Sequence, residues 1–286
     1  KMQETQKKIE SLSCVSDKFL GWMSKKYNES QERAIIQSVK LKTGISLVQG
    51  PPGTGKTYTL LGLLNLFHLL GANTMYKART DQINRTMKKS HCEDDGLSKP
   101  SKVVLRILVL APSNTAVNGI GLKMLQTGFR DNKLRTYIPR VVRVGTSNTL
   151  KTDIAVRQLC LDAQTDKLFG QLEKESHLQL EGDVSSRRKE IGFIKGSMQK
   201  FYDRRDTRNY KRSMSKYMAL QDDVDNLKEK MFCLKAVRNS SFSQSKKRNI
   251  LKKSILKRAD IILTTLSSSG LSDILDQERK FDVVIV

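Results

Sequence analysis

The sequence predicts an α/β fold, a parallel β-sheet wrapped by helices with a long α-helical hairpin inserted into it. Three observations predict it. Short β-branched runs at 45–49, 103–110, 141–144, 261–264 and 283–286 alternate with helical stretches, the βαβ pattern of a parallel sheet. The first of these runs leads straight into a glycine-rich turn and then into an apolar helix. From about 150 to 258 there is no strand-like run and no proline, while charge is dense and apolar residues recur at coiled-coil spacing.

Each element has its own signal. Residues 1 to about 25 set Ile9, Leu12, Phe19, Leu20 and Met23 at roughly helical spacing, and 30–39 reads as a second helix. Ile45-Ser46-Leu47-Val48-Gln49 is a short strand, and 57–70 a helix that Gly71 is expected to end. Residues 72–102 are polar and without period, so a long surface loop is expected there. The run 103–110 suits a strand covered on both faces, 115–127 a helix, and Val141-Val142-Arg143-Val144 a further strand. Tyr217, Leu220, Val224, Leu227, Met231 and Leu234 then step by alternating threes and fours, and Ile191, Ile194, Met198 and Phe201 repeat that spacing upstream. Two helices packed along these stripes predict an antiparallel hairpin. Strand character returns at 261–264, with a short helix expected at 271–277 and a last strand at 283–286.

Composition narrows the function. The 286 residues carry 52 Lys+Arg against 29 Asp+Glu, a net charge of +23. Between Asp183 and Arg258 there are 22 Lys+Arg against 8 Asp+Glu, so +14 of that surplus lies in the hairpin region. Such a surplus points to a polyanion, nucleic acid before membrane, because no basic amphipathic helix carries large apolar anchors. The four cysteines are scattered without a Cys-x-x-Cys pair, which argues against a zinc site or a disulfide framework and for a reducing compartment. His91-Cys92-Glu93-Asp94-Asp95 lacks further ligands at metal spacing and reads as a solvated loop. No hydrophobic leader follows Lys1, so secretion is not expected.

Gly50-Pro51-Pro52-Gly53-Thr54-Gly55-Lys56-Thr57 fits G-x-x-x-x-G-K-[ST] between a strand and a helix. Its glycines let successive backbone N–H groups converge on phosphate oxygens, and the following helix adds its positive end. Lys56 is expected to reach the β- and γ-phosphates of ATP, and the Thr57 hydroxyl to ligate Mg²⁺.

Three flanking segments carry a resemblance. Residues 27–35, Tyr-Asn-Glu-Ser-Gln-Glu-Arg-Ala-Ile, resemble the Q-type motif of superfamily one helicases, in which Gln31 would read adenine through its amide. Asn28 or Ser30 serves equally as a helix cap in that string. The run Ile107 to Val117 looks like helicase motif Ia, with Pro112, Ser113, Asn114 and Thr115 at a helix N-terminus suited to a nucleic-acid phosphate. Residues 259–270 resemble the next family motif, where Thr264, Thr265 and Ser267 would contact the same strand, and 281–286 looks like the approach to a Walker B strand. The set is similar to superfamily one helicases of the Upf-like group, senataxin type, over nearly the whole chain.

That resemblance implies a RecA-like P-loop NTPase fold in four pieces. They are a stalk-like helix at 1–27, the ATP-binding domain at 28–149, a basic prong insertion at 150–258, and the continued domain at 259–286. It implies an ATP hydrolase that uses ATP and Mg²⁺ to travel along single-stranded RNA or DNA, works with a second RecA-like domain of the same protein, and resides in the nucleus, with a cytoplasmic share besides. The sequence stops before the Walker B carboxylates, so these 286 residues alone are expected to bind ATP weakly and to hydrolyse essentially none of it. A non-catalytic nucleic-acid-binding module, or a P-loop ATPase of another class, is the alternative. The stretch from Thr57 to Val286 is far longer than a compact ring ATPase places between its Walker motifs. One departure stands out: the family's motif Ia usually continues Ala-Val-Asp-Glu, whereas this chain has Ala116-Val117-Asn118-Gly119. An acidic pair near the strand or domain interface is therefore missing.

Overall fold

The computed structural model describes residues 12, 14–41, 44–88, 105–145, 154–270, 274 and 280–286. The chain divides into two compact units. One comprises Lys1–Ala78, Pro100–Cys160 and Arg258–Val286, the other Arg79–Lys99 and Leu161–Lys257.

The first unit is built on a parallel sheet in the order β4-β5-β1-β6, with β1 Ile107–Ala111, β4 Val141–Arg143, β5 Ile261–Thr265 and β6 Val283–Ile285. All five residues of β5 are buried, as expected for a central strand covered on both faces. A two-stranded hairpin, β2 Phe129–Arg130 and β3 Thr136–Tyr137, lies outside that sheet. Helices α1 Asp17–Lys26 and α2 Glu29–Lys40 precede the phosphate loop, α3 Lys56–Lys88 follows it, and α4 Asn114–Thr127 follows β1. Leu61 and Leu64 of α3 join the sheet core with Val109, Met124 and Leu263, whereas Leu66 and Leu69 pack with Phe19, Met23 and Ile35 of α1 and α2. This is why the first half of α3 is apolar on more than one side.

Two expectations fail here. Helix α3 does not stop at Gly71, and 72–88 is helix rather than loop. Gly71 is there for closeness: a Cβ at that position would come within 2.4 Å of the Leu105 side chain. The segment 45–49 forms no strand. It has no ladder partner among the described residues, and Ile45 and Leu47 are each 90% exposed. A lone extended segment has no cross-strand bonds to hold it. The cluster His91 to Asp95 and most of the helix expected at 271–277 lie outside the described residues. After β5 the chain makes a short 3-10 turn at Ser267–Gly270.

The second unit is helical. Here α6 Leu161–Lys174, α7 His177–Asp203, α8 Thr207–Arg238 and α9 Gln244–Arg258 follow one another, after a single turn, α5 Ile154–Arg157, in the first unit. Helices α7 and α8 are joined at 204–206, where Arg205 is left-handed (φ 56°) and the Asp206 side chain accepts from the Asn209 N–H to start α8. The stripes pack inward: Ile194 and Met198 meet Met214, Met218 and Leu220, while Leu234 and Val237 meet Leu172, Leu180 and Leu251. The last part of α3 supplies Ile83 and Met87 to the first of these clusters. Arg79 is held there by Asp222, its Nη1 lying 3.0 Å from each carboxylate oxygen. Among the described residues no helix is long and apolar enough to cross a membrane, and no group of His, Cys, Asp and Glu could hold a metal ion.

Candidate nucleotide and strand site

The glycine-rich loop at 50–57 keeps its residues at the surface and ends where α3 begins, at Lys56. Gly53 (φ 80°) and Gly55 (φ 82°) both take the left-handed conformation, which turns the backbone sharply at no side-chain cost. The Thr54 hydroxyl donates to the Pro51 carbonyl at 2.8 Å and closes the turn on itself. Lys56 Nζ lies across the loop, donating to the carbonyls of Gly50 at 2.9 Å and Pro51 at 3.0 Å. A primary ammonium, free N–H groups on a helix's first turn and glycine-lined backbone form a donor set that fits a polyphosphate. Thr57 sits half-buried on that first turn.

Gln31 touches this loop. Asn28 caps α2 by accepting from the Gln31 N–H at 2.9 Å, and Gln31 Oε1 accepts in return from the Asn28 N–H at 3.3 Å. The other end of the same amide, Nε2, donates to the Thr54 carbonyl at 3.1 Å. Of the two candidate caps Asn28 is the one used, and the Gln31 side chain reciprocates it while also reaching the loop at 50–57. Beside it lies an unforeseen group: Lys26 Nζ sits 4.6 Å from the centre of the Trp22 ring and 5.4 Å from that of Tyr58, with Tyr27 packed against Tyr58. Burial is the larger cause, and the Arg130 charge the smaller, of a Lys26 pKa lowered from the usual amine value.

The motif Ia and 264–267 residues emerge side by side, because Ala111 of β1 pairs with Thr265 of β5 and both strands end there. Such carboxyl ends are where open parallel sheets hold ligands. Pro112, Ser113 and Thr115 are exposed and Asn114 is half-buried, with the Ser113 hydroxyl capping α4 by accepting from the Ala116 N–H at 3.2 Å. Of the three residues expected on the neighbouring turn, only Ser267 is exposed. Thr264 is a correction: it is fully buried, and its hydroxyl donates to the Val144 carbonyl at 3.0 Å, which ties β5 to the end of β4. Thr265, 6% exposed, uses its hydroxyl within the turn on Ser267 and Ser268.

Under α4 lies Arg143, 1% exposed at the end of β4. Its Nη2 donates to Asn114 Oδ1 at 2.8 Å and its Nε to Asn118 Oδ1 at 3.0 Å.

The family described as an AAA domain matches residues 26–286. Similar proteins are helicases. Helicase sen1 of Schizosaccharomyces pombe is 30% identical over 270 residues, 91% of this chain and 15% of that protein. Helicase SEN1 of Saccharomyces cerevisiae is 32% identical over 276 residues, 92% of this chain and 12% of that protein. The probable helicase senataxin of Homo sapiens is 26% identical over 181 residues, 59% of this chain and 6% of that protein. The chain belongs to the superfamily one helicases of the Upf-like group, senataxin type. It spans a small part of the length of the curated relatives it matches.

The Asn118-Gly119 pair, where the sequence departs from the pattern expected of the resemblance, lies on α4. Asn118 is buried and its Oδ1 accepts from Arg143 Nε, and a Cβ at Gly119 would meet nothing within 4 Å. The signal of Arg143 in the sequence is a lone charge inside an otherwise apolar strand, Val141-Val142-Arg143-Val144.

Proposed function

We propose that this chain is the ATP-binding half of an ATP-dependent helicase that steps along single-stranded RNA or DNA in the nucleus. The loop at 50–57 carries the reading: two left-handed glycines, Lys56 at the head of α3, and Gln31 bonded to the loop backbone. Lys56 would leave the two carbonyls it now bridges to bind β- and γ-phosphate oxygens, and Gln31 would face the base. Thr57 would hold Mg²⁺, which neutralises phosphate charge when bound. Ser113 to Thr115, after the turn at Pro112 and with Ser267 on the neighbouring turn, would receive the strand's phosphates through hydroxyl, amide and helix N–H donors, while Thr265 would hold that neighbouring turn through its bonds to Ser267 and Ser268.

The basic hairpin supports a second strand contact. Arg204, Arg205, Arg208, Lys211 and Arg212 are all exposed around its tip. Further along α7, Phe193 is 77% exposed with Arg188, Lys189 and Lys195 close by in sequence and exposed as well. A ring face beside cations suits an unstacked base with its phosphate.

Binding of a fluorescent ATP analogue, measured with and without Mg²⁺, tests the central claim. Lys56→Ala should weaken it at least about tenfold, the loss of a charged hydrogen bond to phosphate. Affinity for a single strand without nucleotide should be unchanged. Wild-type nucleotide affinity in Lys56→Ala would sink the assignment.

A further inference from the structure

A buried guanidinium is normally matched by a carboxylate, since an uncompensated charge in a protein interior is costly. Arg143 is 1% exposed, yet its side-chain acceptors among the described residues, Asn114 and Asn118, are neutral amides. Its remaining nitrogen, Nη1, is buried without a hydrogen-bond partner among the described residues and lies beneath Gly145. The positive charge is therefore kept, and kept under the first turn of α4, where the exposed Ser113 and Thr115 and the helix N–H groups already favour an anion.

Arginine donates and never accepts. Asn114 must accordingly turn its oxygen inward to Nη2, which leaves its NH₂ directed away from the guanidinium as a donor. Asn118, one turn further along α4, holds Nε without adding a negative charge.

We propose that Arg143 is a positioning residue for nucleic-acid phosphate at the 113–115 turn. It orients the Asn114 amide, and its unneutralised charge raises the potential at that turn. The inference rests on the reading of this turn as a strand contact. It assigns a purpose to the neutral residue at position 118, because aspartate there would pair with Arg143 and cancel the field.

Two variants separate this from a structural role. Asn118→Asp supplies a carboxylate of nearly the same shape, so the melting temperature should rise. Its affinity for a mixed-sequence single strand, read by fluorescence anisotropy, should nevertheless fall about three- to tenfold as one nearby charge is neutralised. Arg143→Met removes the charge and should lower the melting temperature while weakening strand binding by a similar factor. Affinity would then follow charge in both, although stability moves in opposite directions. Wild-type strand affinity in either folded variant overturns the inference. Failure of the underlying reading looks different: the unaltered chain would itself not bind the strand, and both would fall.

Discussion

Gln31 donates through Nε2 to the Thr54 carbonyl at 3.1 Å, so the side chain read as the adenine-facing glutamine is also a brace for the phosphate loop. Because its Oε1 is engaged by the Asn28 N–H, the two ends of one amide link the start of α2 to the loop. Gln31→Glu keeps the capping acceptor and removes the donor. Nucleotide affinity should drop about three- to tenfold, the range of one lost hydrogen bond, with the melting temperature little changed. Titration with a fluorescent nucleotide checks it, and unchanged affinity would mean that the bond to Thr54 is incidental.

The hairpin tip carries charge that its packing does not use. Reversing Arg204, Arg205, Arg208, Lys211 and Arg212 to Glu should weaken single-strand binding to a similar extent for all sequences. It should also flatten the salt dependence by roughly 0.7 in log–log slope for each phosphate no longer neutralised. Anisotropy titrations at several salt concentrations read both quantities. Nucleotide affinity should stay as it was, since no residue of the 50–57 loop is altered.

Glycines at two helical positions predict opposite signs for the same substitution. Gly71→Ala adds a Cβ 2.4 Å from the Leu105 side chain, and this overpacking should destabilise by about 1–3 kcal/mol despite the better helix propensity of alanine. Gly192→Ala on α7 meets nothing within 4 Å and should stabilise the chain by about 1 kcal/mol. Denaturant unfolding of both variants is the measurement.

Asp260 gives a signed pH dependence. Burial raises its pKa, but the adjoining His68 ring and the Arg140 guanidinium, 2.7 Å from Oδ1, outweigh this and hold it well below the usual carboxylate range. A depressed folded-state pKa contributes stability that is present above the ordinary value of about 4 and is lost as pH falls below it. Asp260→Asn should therefore melt lower than the wild type at pH 6, and the gap should narrow as pH drops towards 2. Thermal melts across that range decide it, and a gap independent of pH would show that Asp260 acts through packing alone.

The phosphate loop was legible because its geometry is written in residue types: only glycine sits easily at the φ of positions 53 and 55. The strands at 107–111 and 261–265 were legible for a similar local reason, being apolar on both faces. The extension of α3 was not. Gly71 carries the same letter whether it ends a helix or admits a neighbour, and only Leu105, distant in sequence, tells the two apart. Ile45 and Leu47 have the alternation of a strand, but pairing is a property of two segments and cannot be read from one. At the candidate site, Thr264 matched a motif by type while its position inside β5 turned the hydroxyl inward.

Of the sheet's strands, β6 pairs with β1 and with no other strand among the described residues, and Val284 and Val286 beside that edge are 53% and 79% exposed. A short strand edge flanked by exposed valines can pair with another copy of itself. The net charge of +23 opposes such pairing, but that repulsion acts over only about 10 Å at 0.1 M salt and less above it. Handling the protein therefore sets two demands against each other. The high ionic strength that strips adventitious nucleic acid from the basic surfaces also removes the repulsion that keeps the edge solvated, so colloidal stability should be poorest in the buffers that give the cleanest preparation.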